Sequence, residues 1–166
     1  FREIDEYAKI EPNSPLIYQM RALIYESKGD FFNEHVNWGK FNTLKGDKEV
    51  ALNEYMTAYQ FDNKNIELIE TIASLLESLK DHTKACEFYE RLIELEPKNI
   101  NALEKLANFR DSIGDYRMAF EYIEKLKEAD PRSQFVAENF EAYKDRAENG
   151  GSFMSFFKSI FGKRMG

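Results

Sequence analysis

Two stretches, LIELEPKN at 92–99 and KLKEADPRS at 125–133, are copies of one helix exit set 34 residues apart. Sliding the chain by that interval lays like on like: Pro97 on Pro131, Ala85 on Ala119, Ala73 on Ala107, Ile69 on Leu103, Ile72 on Leu106 and Leu92 on Leu126. Upstream, Ala51 falls on Ala85 and Tyr55 on Tyr89. Self-similarity at a fixed period of this size is the mark of a repeat architecture, in which each unit covers its apolar face with its neighbour.

Each copy reads as two helices. Ile69, Ile72, Ala73 and Leu76 stand at i, i+3, i+4 and i+7, one helical face; Ala85, Phe88, Tyr89 and Leu92 repeat the spacing. The break is KDHT at 80–83 in one copy and Gly114-Asp115-Tyr116 in the next. Glycine suits a left-handed helix exit and aspartate the following N-cap. Pro97 and Pro131 then open the connection to the next unit. Helices are expected near 14–28, 31–44, 47–61, 66–79, 82–95, 100–112, 116–128 and 134–147.

This pattern resembles the tetratricopeptide repeat family. At repeat positions 4, 7, 8, 20, 24 and 32 the copy at 66–99 has Ile69, Ile72, Ala73, Ala85, Tyr89 and Pro97, and the copy at 100–133 has Leu103, Leu106, Ala107, Ala119, Ile123 and Pro131. Position 11 departs (Leu76, Arg110), as does position 27 (Leu92, Leu126). The resemblance implies an all-α solenoid of antiparallel helix pairs, a TPR-like superhelix, over residues 1–149.

The N-terminal third is less regular. YAKIEPNS, with Pro12, reads as the exit of an earlier second helix. Gly29-Asp30 and Gly46-Asp47 then stand only seventeen residues apart, half a repeat. In one frame Phe31, His35 and Trp38 belong to a second helix; in the other Trp38 and Gly39 fill positions 7 and 8 of a first helix. Both frames stay open for residues 29–47. At 134–147 a further helix places Val136, Phe140, Tyr143 and Ala147 on one face. Glu141 falls where a close partner helix needs a small residue, and burying it unpaired is costly. It therefore reads as the capping helix that closes the array.

Composition narrows the function classes. The net charge is −7. Residues 150–166 carry three cations and no acid, so −7 less +3 leaves −10 on residues 1–149. That body repels a phosphate backbone, which argues against nucleic acid as partner. His35 and His82 lie in different helical units without ligand-spaced companions, so no metal site is expected. The lone Cys86 reads as a packed thiol and suits a reducing, cytoplasmic setting. No phosphate loop, catalytic constellation or cofactor motif is present, and the chain reads as non-catalytic. It begins at Phe1 rather than Met, which we read as a chain continuing upstream.

What remains is surface recognition. In the family resembled, positions 2, 5, 9 and 12 of the first helices face a peptide-holding groove. Carried over, these are Glu67, Glu70, Ser74 and Glu77 in one copy and Asn101, Glu104, Asn108 and Asp111 in the next. The family's best-known groove clamps a C-terminal carboxylate with Lys, Arg and Asn. Asn108 suits such a clamp, but Glu70 and Glu104 stand where cations are wanted, so a basic or neutral polar segment is the expected partner. The alternative from another class is a regulatory or tethering module of a larger membrane-associated enzyme lying upstream.

The chain ends GGSFMSFFKSIFGKRMG (150–166), with a glycine joint at Gly150-Gly151. Phe153, Phe156, Phe157, Ile160 and Phe161 share one side of a helical wheel, and Lys158, Lys163 and Arg164 supply the charge. Such a tail helix, about 15 Å long over ten residues, is too short to span a bilayer. Two readings stand: an in-plane anchor at an anionic membrane surface, making the protein peripheral, or a stripe that packs on protein, including self-association with a neighbouring copy.

Overall fold

The computed structural model describes residues 2–12 and 14–149. Among these there are nine α-helices and no strand: α1 (Arg2–Ile10), α2 (Pro15–Lys28), α3 (Phe31–Lys45), α4 (Lys48–Phe61), α5 (Ile66–Ser78), α6 (His82–Leu95), α7 (Ile100–Ser112), α8 (Tyr116–Ala129) and α9 (Gln134–Asn149). The class is the expected one, all-α and of helical-repeat type. Two elements differ from expectation. The segment read only as a helix exit is a helix of its own, α1, and α9 runs to Asn149. The tail at 150–166 lies outside the described residues.

The helix ends follow the repeat. Asn65 accepts from the Leu68 N–H at 3.0 Å and Asn99 from the Ala102 N–H at 3.0 Å, each opening a first helix. Ser133, in the same phase, lies 3.4 Å from the Val136 nitrogen. Asp81 and Asp115, also in phase, cap α6 and α8 through the N–H groups of Lys84 and Met118. Satisfying these otherwise orphaned donors fixes where each helix starts. The exits of α2, α3 and α7 are Gly29, Gly46 and Gly114, all left-handed. At the equivalent point before Asp81 the chain has Lys80, at φ 67°.

Two compact units result, Phe1–Phe88 and Tyr89–Gly166. In the first, α3 packs extensively against both α2 and α4, and α4 against α5. A Gly-Asp turn stands at each end of α3, whereas elsewhere such tight turns alternate with a four-residue link at 62–65, 96–99 or 130–133. Hence α3 is a second helix to α2 and a first helix to α4, and both frames at 29–47 are realised by one element. Being covered on two sides, it buries Asn37 and Asn42. Their amides donate to the carbonyls of Asn33 and Trp38 at 2.7 and 2.9 Å, so neither is left unsatisfied. Gly39 is buried where α3 meets Tyr55 of α4.

In the second unit α8 packs against α7 on one side and α9 on the other. Leu103, Leu106, Ile123 and Leu126 are fully buried with Ala107 and Ala119 between them. The two alanines keep the helices close enough for those larger residues to interlock. Arg110 pairs with Glu90 and reaches Asp115 at 3.6 Å, replacing the aromatic residue that position 11 often carries. On α9, Val136 and Tyr143 are buried while Glu141 is exposed. Phe140 meets Phe120 with ring centroids 5.5 Å apart and carries the Lys127 ammonium 3.8 Å above its ring.

Candidate functional site

Because α3 is a first helix to α4, residues 32–65 form a repeat in phase with 66–99 and 100–133. Positions 2, 5 and 9 of this copy are Asn33, Val36 and Lys40. All three line a pocket of about 220 Å³ between α3 and α5, with Phe32, Tyr55, Asn65, Glu67, Leu68 and Thr71. The open half-frame at 29–47 hid these residues from sequence reasoning. The signal that pointed to them was Gly39, a small residue at position 8.

The surface facing the pocket is mostly polar, with Phe32, Val36, Tyr55 and Leu68 supplying a smaller apolar part. Val36 is half-buried, and Leu68 and Tyr55 are buried. Burial holds the Tyr55 hydroxyl above its ordinary range, against the opposing pull of Thr43, so it stays a neutral donor and acceptor. Asn33 donates its amide to Asp30 at 2.8 Å, and Asn65 is occupied in capping α5. The Lys40 ammonium lies 3.5 Å from Glu67, with side chains 39% and 81% exposed, a pair that water screens.

The expected groove residues divide into two sets. On α5, Glu67 and Ser74 are exposed, while Glu70 and Glu77 are half-buried. On α7, Asn101 is exposed and Glu104 is half-buried. Glu70 and Glu104 are thus less open than the sequence suggested. Asn108 accepts a hydrogen bond from the Tyr143 hydroxyl at 3.0 Å, and Asp111 lies 2.9 Å from Arg146 Nε. These two residues therefore bind α9. The Asp111–Arg146 contact is one of charge, without a well-directed hydrogen bond between these two atoms. Burial first, and then the Asp111 charge, push the Tyr143 hydroxyl up to about 12, which keeps it a donor.

Nothing in the described residues assembles into a reaction centre. His35 is 2.7 Å from Glu54 and stacks on Phe61, a packing role between α3 and α4. His82 is exposed at the start of α6, and Cys86 is buried. Among the described residues no group of three or more His, Cys, Asp or Glu side chains is arranged to hold a metal. Nor, among them, is any helix long and apolar enough to cross a membrane. The tail residues Phe153, Phe156, Phe157, Lys158, Ile160, Phe161, Lys163 and Arg164 lie outside the described part.

The tetratricopeptide repeat family model matches residues 66–99 and 100–133. No curated protein matches the chain. Among solved structures, the MamA RS-1 ArsTM double mutant is similar at a TM-score of 0.71 and 15% identity, over 90% of this chain and 86% of that one. The first TPR of Spaghetti (RPAP3), bound to the HSP90 peptide SRMEEVD, is similar at 0.55 and 17%, over 80% and 95%. The Sgt2 TPR domain from Aspergillus fumigatus is similar at 0.55 and 23%, over 73% and 83%. At such identities the likeness establishes the fold. With the 34-residue period, the phased caps and the small residues at each helix crossing, it has one reading: residues 66–99 and 100–133 are tetratricopeptide repeats, set in an all-α helical-repeat fold.

Proposed function

We propose that the protein is a non-catalytic scaffold that holds a segment of a partner protein along the faces of its first helices. The observation that carries this is the pocket between α3 and α5, where polar and apolar side chains of two successive repeats converge. Such a site accepts one apolar side chain and pairs the flanking backbone.

The partner's charge follows from the same positions. The first TPR of Spaghetti holds SRMEEVD, a peptide with three acids. Here position 5 is Val36, Glu70 and Glu104 in the three copies, with no cation among them. Asn108, the one residue suited to a carboxylate clamp, is already bonded to Tyr143. The ligand is therefore a basic or neutral polar segment with an apolar anchor.

An array of short peptides of graded charge, probed with the purified protein, tests this. Basic peptides with one large apolar residue are expected to bind, and Val36→Arg, which fills the pocket, is expected to weaken them about tenfold or more. Glu67→Lys with Glu70→Lys, both on α5 beside the pocket, and Glu104→Lys on α7, tested separately, are expected to weaken the binding of basic peptides wherever that helix contributes. Binding that survives all three changes places the site elsewhere.

A further inference from the structure

Helix α2 is apolar on more sides than its packing uses. Ile17 and Ala22 are buried, with Tyr18 and Tyr25 half-buried beside them. Leu16, Met20 and Leu23, spaced i, i+4 and i+7, are 53%, 48% and 50% exposed. At 100° per residue these three fall within about 60° of one another, on the side away from Tyr18 and Tyr25. Lone exposed apolar residues are ordinary, but a three-membered stripe on one helix is not scattered.

We propose that Leu16, Met20 and Leu23 form the docking surface for the Phe153–Phe161 segment of a second copy of this chain, so that two chains exchange their C-terminal segments and close a dimer. The two sequences are complementary in pattern and length. Phe153, Phe156, Phe157, Ile160 and Phe161 recur at helical spacing over nine residues, and the α2 stripe covers eight. Charge agrees as well. The segment brings Lys158, Lys163 and Arg164 to a body of −10, and the exposed Glu26 borders the stripe on α2.

Area selects exchange over simpler pairings. The half-exposed stripe offers on the order of 300 Å² of apolar surface, so two α2 stripes laid together bury roughly 600 Å², below what a stable complex needs. Each docked segment buries a similar area on both partners. Reciprocal exchange doubles it to roughly 1,200 Å², the lower edge of stable interfaces, and the two-fold arrangement closes without open ends. A membrane surface is the competing occupant of the same segment. The body's charge opposes it at an anionic bilayer, and lipid binding by the segment leaves the α2 stripe bare.

The full chain is compared with Met20→Glu and Phe157→Glu by sedimentation at micromolar concentration, with circular dichroism as the control for folding. Both sites change on exposed or terminal positions, and Leu23→Glu is the second variant should Met20→Glu disturb α2. The unaltered protein is expected to be a dimer, and each variant alone a monomer. Mixing the Met20→Glu and Phe157→Glu chains leaves one intact pairing of roughly 600 Å², and the mixture is expected to stay monomeric at this concentration. An unaltered protein that is monomeric, or a dimer indifferent to Met20→Glu, overturns the proposal. So does a monomer that floats with phosphatidylserine vesicles and loses flotation in Phe157→Glu, the result that assigns the segment to a membrane.

Discussion

Gly39 of α3 lies so close to the ring of Tyr55 on α4 that a Cβ added to it would stand 2.5 Å from Cε1 and 2.7 Å from Cδ1 and Cζ. Tyr55 is 3% exposed, and its ring is held between α3 and the pocket beside α5. This contact sets the spacing of the helix pair and fixes the frame of residues 32–65.

Gly39→Ala is accordingly expected to destabilise the protein. In an uncrowded helix interior the change gains about 1 kcal/mol, whereas overpacking a core costs about 1–3 kcal/mol. Three ring atoms within 3 Å place the cost at the upper end, for a net loss of about 1–2 kcal/mol. Urea denaturation with a lowered midpoint is the expected result. A raised midpoint is incompatible with α3 and α4 meeting at this point.

Lys80 holds a left-handed backbone at φ 67° where the next repeat has Gly114 at 81°. Lys80→Gly relieves that strain, against the extra freedom glycine adds to the unfolded chain. A gain of about 0.5–1 kcal/mol is expected, read as a higher thermal midpoint. Gly114→Lys is expected to lose a similar amount.

Asn99 and Asp47 both precede helices, but only Asn99 caps with its side chain, accepting from Ala102 at 3.0 Å. Asn99→Ala is expected to cost about 1 kcal/mol and Asp47→Ala a few tenths. Equal losses in chemical denaturation count against this difference between the two caps.

Tyr143 makes stability fall in strong alkali. Its hydroxyl is raised from 10.0 to about 12 in the folded protein, chiefly by burial. The unfolded chain ionises first, so the contribution is complete below pH 10 and is lost as pH climbs toward 12. Tyr55 and Tyr122 are raised as well and act in the same direction. Tyr143→Phe, which also forfeits the bond to Asn108, is expected to be less stable at neutral pH by about 1 kcal/mol. Its stability declines less steeply between pH 10 and 12. Parallel pH profiles for the two proteins mean that Tyr143 is not buried as described.

The helices from α2 onward, their ends and their repeat were legible in the chain alone. Apolar residues at i, i+3, i+4 and i+7, Gly at the exits and Asp or Asn at the entries act within one or two turns of chain, so their consequences are local. That reach was enough for eight of the helices among the described residues, and for the alanines at 73, 85, 107 and 119 that let helices approach. The part played by α3 was not legible there, because it depends on packing from both neighbours. Its residues satisfy both frames, and both are realised because Gly39 meets Tyr55, sixteen residues away, while α2 also packs on α3. The same holds for the candidate site. Position in a repeat names the helix face, but whether a side chain there is open depends on what arrives from another helix. Tyr143 and Arg146 take up Asn108 and Asp111, while Asn33, Val36 and Lys40 gain a pocket because α5 returns beside α3.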